Sequence, residues 1–174
     1  MSGTSVLVAG IGNIFFGDDA FGSEVARRLA GRPVPAGVRV ADFGIRGLDL
    51  AFALLDGPRV TILVDSIRRG GAAGTLYLIE PDQGTPHPLE GWDAPDGHGM
   101  DPARVLRLVR EMGGQDRRVL LVGCEPATVE EDAEGRVGLS APVEAAVEGA
   151  IRMIESLLAE FTREEVPPCT NCPS

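Results

Sequence analysis

Val6-Leu7-Val8-Ala9-Gly10-Ile11-Gly12-Asn13-Ile14-Phe15-Phe16-Gly17-Asp18-Asp19-Ala20-Phe21-Gly22 is the stretch on which the fold turns. Residues 6–9 form an apolar run that ends in Gly-Ile-Gly, the pattern of a buried strand feeding a tight turn. Beyond the turn, Phe21, Val25 and Leu29 recur at helical spacing, and Gly31 and Pro33 close a helix expected over about residues 18–31.

The alternation continues downstream. Residues 38–43 read as a second strand and residues 47–55 as a short helix stopped by Asp56-Gly57-Pro58. Residues 60–64 are apolar on both faces apart from Thr61, as a central parallel strand should be. Residues 75–79 form a fourth strand, and residues 81–100, rich in Pro, Gly and Asp, read as a surface loop. Asp101 as N-cap and Pro102 at the first helical position open a helix that Gly113-Gly114 end. Residues 119–122 give a fifth strand, and Ser140 is expected to cap a long last helix reaching about Phe161. The expectation is a three-layer, doubly wound α/β fold: a mainly parallel sheet of about five strands with helices on both faces. It forms one domain over residues 1–162, followed by a mobile tail, residues 163–174, carrying Cys169-x-x-Cys172.

Composition removes several chemistries. The 174 residues carry 16 basic and 26 acidic side chains, a net charge of −10, and every basic residue is arginine. Without lysine there is no Schiff-base chemistry and no Walker-type lysine. The acidic balance argues against nucleic acid as a partner. No apolar run reaches the length needed to cross a bilayer, which excludes membrane insertion as an expectation. Three cysteines, Cys124, Cys169 and Cys172, do not make a disulfide framework, so a reducing, cytoplasmic setting is expected.

In a doubly wound sheet, ligands bind outside the carboxyl ends of the strands, so the chemistry should lie in the loops there. The first loop is not a dinucleotide fingerprint. Position 15, where a third glycine would be needed, is Phe15, and Asp18 and Asp19 occupy the helix start where a pyrophosphate would bind. Taken alone, Asp18 and Asp19 complement the helix dipole, Asp65 shapes a turn at the end of the third strand, and His98 is a solvated loop residue. Converging on one crevice, two carboxylates and an imidazole would make a small divalent-metal site with open positions, suited by ligand type to nickel, zinc or manganese. His87, between prolines, has no such position, and Cys124 reads as a small buried strand-end residue.

The Gly-x-Gly-Asn-x-x-x-Gly-Asp-Asp-x-x-Gly loop, with Asp65 and His98, resembles the hydrogenase maturation endopeptidases, over about residues 6–158. The resemblance implies that Asp19, Asp65 and His98 bind metal. It also implies an enzyme that trims the C-terminal peptide from the large-subunit precursor of a nickel–iron hydrogenase after nickel insertion. The divalent metal is then the nickel already in the substrate rather than a resident cofactor. Asp18 or Asp19 is available as general base, and Gly12, Asn13, Gly44, Ile45, Arg46 and Gly47 are the expected substrate-contacting positions. The sequence departs from the family pattern in two places. Asp19 stands where many members carry glutamate, and Asp42-Phe43-Gly44-Ile45-Arg46-Gly47 stands where they carry Asp-Gly-Gly-Thr. The tail resembles the Pro-Cys-x-x-Cys end of hydrogenase large subunits, although a single Cys-x-x-Cys is a weak zinc site. The alternative reading is a non-catalytic metal-delivery or scaffold protein that docks on the precursor.

Overall fold

The computed structural model describes residues 5–80, 101–115, 117–127 and 135–163. The expected loop over residues 81–100, with His87 and His98, and the Cys169/Cys172 tail lie outside the described residues. Five strands, β1 (Val6–Ile11), β2 (Val38–Gly44), β3 (Val60–Ser66), β4 (Leu76–Ile79) and β5 (Arg118–Cys124), form one sheet in the order β2-β1-β3-β5-β4. The first four strands in that order are mutually parallel. β4 closes the edge antiparallel to β5, so the expected mainly parallel sheet has one reversed strand.

The helices are α1 (Phe21–Ala30), α2 (Gly47–Leu55), α3 (Pro102–Glu111) and α4 (Ala141–Arg163). Strand alternation sorts the core into two slabs. Val6, Val8, Val60, Ile62, Val64, Leu120 and Val122 face α1 and α4, packing on Phe21, Val25, Leu29, Val147, Ile151, Ile154 and Phe161. Leu7, Ala9, Ile11, Leu63 and Leu121 face the opposite way, onto Leu50, Ala51, Val105 and Val109 of α2 and α3. The fold is therefore three layers with helices on both faces, as the sequence pattern predicts.

Two expectations shift in detail. The helix expected from residue 18 begins as a 3-10 turn, Gly17–Ala20, and becomes α-helical only at Phe21. Ser140 does precede α4, and its carbonyl accepts the Glu144 N–H at 2.8 Å. Its hydroxyl donates to Asp18 at 2.9 Å, a long-range contact the sequence does not announce. By contrast, the Asp101 carboxylate caps α3 as expected, accepting the Ala103 N–H at 2.9 Å.

The chain leaves β1 for β2 on one side and returns through α2 to β3 on the other side of β1. This reversal opens a crevice between the carboxyl ends of β1 and β3. Where α1 meets these strand ends, the packing at Gly10 and Gly22 leaves no room for a side chain. A Cβ on Gly22 would fall well inside contact distance of the Ile11 and Val64 carbonyl oxygens, and one on Gly10 would strike the Gly22 carbonyl and Ala26. Gly22→Ala is accordingly expected to cost roughly 1–3 kcal/mol or more of unfolding free energy. Gly31→Ala is the control. At Gly31 φ is −81°, and an added Cβ meets nothing nearer than the Arg28 oxygen at 3.5 Å. That change should stay within about 0.5 kcal/mol. Urea titration of both variants checks the difference, and equal losses would refute this account of the glycines.

Candidate active site

Asp19 is the third residue of the 3-10 turn that follows β1. The loop before it is held by its own backbone. Phe16 N–H donates to the Asn13 carbonyl at 3.1 Å, Asp19 N–H to the Phe16 carbonyl at 3.1 Å, and Gly17 N–H to the Arg136 carbonyl at 2.8 Å. The Asn13 side-chain oxygen accepts the Phe15 N–H at 3.0 Å. The Asn13 backbone N–H donates to Asp19 Oδ2 at 2.8 Å. These N–H groups are spent inside the loop rather than aimed outward, so no phosphate cradle forms, consistent with the failed dinucleotide fingerprint. Gly12, at φ 144°, lies against the Asp19 carbonyl with no space for a Cβ.

Asp65 reaches the same crevice from the end of β3. It is 6% exposed, and the one hydrogen bond its carboxylate receives from the described residues is from the Ser66 N–H, 2.8 Å to Oδ1. Burial, and then the negative charge of Asp19, raise its pKa well above the usual carboxylate value, with the Ser66 N–H opposing. The Ser66 hydroxyl lies 3.4 Å from Asp19 Oδ1. The structure thus brings Asp19 and Asp65 together as a carboxylate pair that repels itself, the state that a divalent cation relieves. No cluster of three Asp, Glu, His or Cys side chains suited to a metal occurs among the described residues. The third expected ligand, His98, lies outside them.

Two further buried carboxylates border the crevice and behave differently. Asp18, 1% exposed, accepts the Ala127 N–H at 2.8 Å, the Ser140 N–H at 2.7 Å and the Ser140 hydroxyl at 2.9 Å. Both its oxygens are engaged in tying the 3-10 turn to Ala127 and Ser140. Glu125, which the sequence reading missed, accepts the Arg69 N–H at 2.8 Å, the Gly70 N–H at 3.2 Å and the Tyr77 hydroxyl at 2.8 Å. Burial alone would raise its pKa, but these donors outweigh it and hold the carboxyl below its ordinary value. It anchors the turn that follows Asp65. The Gly70-Gly71 dipeptide was the available signal for such a nest of N–H groups. Cys124 is fully buried, and desolvation, with the charges of Asp18 and Glu125, pushes its thiol up to about 12. A thiol this hard to ionise is no nucleophile.

The second loop, after β2, is shaped by a break in the β1–β2 register at Gly10/Ile11 and by Gly44 at φ 54°. Asp42 Oδ1 accepts from the Ser23 hydroxyl at 2.8 Å and from the Gly44 N–H at 2.9 Å. Arg46 folds back, donating to the Phe43 carbonyl at 3.1 Å and the Asp42 carbonyl at 2.5 Å, with Asp49 at 3.6 Å. It staples its own loop as well as facing solvent. Ile14, Phe15, Ile45, Leu48 and Phe52 are each more than half exposed, giving these two adjoining loops and the start of α2 an apolar rim.

The structure defines a doubly wound α/β protein with two acidic side chains at the switch point of its sheet, the place where proteins of this class bind their ligands. Comparison with known sequences narrows the class. The profile of the hydrogenase maturation protease family matches residues 23–157, and the chain belongs to that family. It is 29% identical over 163 residues to the hydrogenase 2 maturation protease of Escherichia coli, covering 93% of this chain and 95% of that one. It is 34% identical over 163 residues to the hydrogenase expression/formation protein HupM of Azotobacter chroococcum, covering 92% and 75%. The fold is similar to that of the hydrogenase maturating endopeptidase HybD from E. coli, with TM-score 0.76 and 28% identity over 90% of this chain and 93% of that one.

The site's electrostatics give two measurable consequences. Asp65→Asn should raise the Tm of the metal-free protein. Because the folded pKa of Asp65 lies above its unfolded value, its charged form costs stability as pH rises, so the gain should grow with pH. Thermal melts from acid to mildly alkaline pH check this, and a gain that shrinks with pH would contradict it. Asp18→Ala should do the opposite, stranding the Ala127 and Ser140 donors and costing about 2 kcal/mol or more in urea unfolding.

Proposed function

We propose that this protease removes the C-terminal peptide of a nickel–iron hydrogenase large-subunit precursor once nickel is in place, and that Asp19, Asp65 and His98 recognise that nickel. The observation that carries the proposal is the Asp19–Asp65 pair: one carboxylate on the 3-10 turn after β1 and one on the neighbouring strand β3, the latter buried and with a single donor from the described residues. Such a pair is costly alone and becomes favourable around a divalent cation. The metal belongs to the substrate, so the chain's own part is to grip it and thereby fix the scissile bond.

Peptide hydrolysis then needs a water to add to the carbonyl carbon, a base to take its proton, and a proton for the departing amine. Asp19, the less buried carboxylate, is the base; with the water oriented against a carbonyl fixed by the nickel grip, no enzyme nucleophile is required. Gly12 and Asn13 shape the first loop, while Gly44, Ile45, Arg46 and Gly47 present the second loop to the precursor polypeptide. The exposed apolar side chains on that rim suit a polypeptide partner. The setting is cytoplasmic, where cysteines stay reduced.

Incubation with nickel-loaded precursor, read by mass spectrometry, tests this. The wild type should shorten the precursor at its C-terminus. Asp19→Ala, Asp65→Ala and His98→Ala should each slow cleavage roughly a hundredfold or more while remaining folded. Ile45→Asp should raise KM with little change in kcat. Binding of the precursor without any mass loss would favour a scaffold, and full processing by all three alanine variants would overturn the proposed site.

A further inference from the structure

Ser66 is the residue in the described structure that touches both members of the carboxylate pair. Its backbone N–H donates to Asp65 Oδ1 at 2.8 Å, a contact that most residue types could make. Its hydroxyl, 3.4 Å from Asp19 Oδ1, is the specific feature. That distance is longer than the roughly 2.7–2.8 Å of a strong hydroxyl bond, so the contact sets direction more than it adds energy. Direction is what Asp19 needs. Its other oxygen accepts the Asn13 N–H at 2.8 Å, and its charge bears on the buried Asp65 beside it. With Asn13, in the loop after β1, on Oδ2 and Ser66, the last residue of β3, on Oδ1, each carboxylate oxygen is contacted from a different strand end.

We propose that Ser66 is a positioning residue: its hydroxyl orients Asp19 toward Asp65 so that both face one cation. This rests on the reading of Asp19 and Asp65 as the nickel-recognising pair. The alternative is that the hydroxyl only fills the end of β3, where alanine would serve as well.

The test compares Ser66→Ala and Ser66→Thr in the full chain. With nickel-loaded precursor, Ser66→Ala should lower kcat about tenfold while KM stays within about twofold, because the precursor still docks on the second loop. Ser66→Thr keeps the hydroxyl and should restore most of the rate, and neither change should move Tm appreciably. Calorimetric titration with Ni²⁺ alone is the second arm: Ser66→Ala should bind about fivefold more weakly, and Ser66→Thr close to wild type. Wild-type rates in Ser66→Ala, or a threonine variant as slow as the alanine one, would overturn the role of Ser66 and leave the proposed function standing. Should the wild type fail to cleave nickel-loaded precursor, the proposed function falls, and the titration decides Ser66 by itself. Equal Ni²⁺ affinity in Ser66→Ala and wild type, or no binding by the wild type, would then overturn it.

Discussion

Gly22 sits on the backbone carbonyls of Ile11 and Val64, the last turns of β1 and β3, and the crevice depends on that approach. The first turn of α1 is pressed against two neighbouring parallel strands at once, which fixes where the preceding 3-10 turn must lie. Asp19 belongs to that turn, and Asp65 lies one residue beyond Val64 on β3. A bulkier residue at position 22 would lift α1 off the sheet and carry Asp19 away from Asp65. The glycine thus sets the spacing of the chemistry without touching it. The core beneath is divided by the sheet into two apolar slabs, so the strand ends are firm supports on which a few loop residues can be aimed.

Three buried carboxylates line this end of the sheet, and the donors around them sort their roles. Asp18 receives three hydrogen bonds from the segment after β5. Glu125 receives two backbone N–H groups and a tyrosine hydroxyl from the turn after β3. Each compensates its own burial and locks a loop in place. From the described residues Asp65 receives one donor, and it faces the charge of Asp19. A buried acid with so few donors beside a second acid lowers stability, and functional sites are where such arrangements cluster.

Much of this was legible in the sequence, for identifiable reasons. The β1, α2 and β3 patterns are local, and periodicity finds them; α2 occupies residues 47–55 as expected. The failed dinucleotide fingerprint at Phe15 was legible for a steric reason, but the close helix–strand contact itself was not located by it. The structure puts that contact at Gly10 and Gly22, twelve residues apart in the chain and opposed across the helix–sheet interface. What the sequence concealed were contacts between distant segments. Ser140 has the form of a helix cap, and nothing in the sequence shows that its hydroxyl is taken by Asp18, 122 positions earlier. Glu125 looks like an ordinary residue before a proline until the turn at Arg69 and Gly70 folds over it.

The departures from the family pattern become compatible with function once these contacts are in view. An aspartate at position 19 reaches less far than a glutamate, but the 3-10 turn seats its backbone directly against Gly12, and Asn13 and Ser66 each contact one of its two oxygens. A short side chain held by the first loop and by the end of β3 gives up reach and gains fixed direction, since fewer torsions remain free. In the second loop, the positive φ of Gly44 turns the backbone and the folded-back Arg46 braces it, while Ile45 is exposed. A carboxylate pair at the strand ends beside a loop with exposed apolar side chains sets two kinds of chemistry next to each other. The strand ends present the charge of Asp19 and Asp65, and the adjoining loop presents Ile45 to solvent.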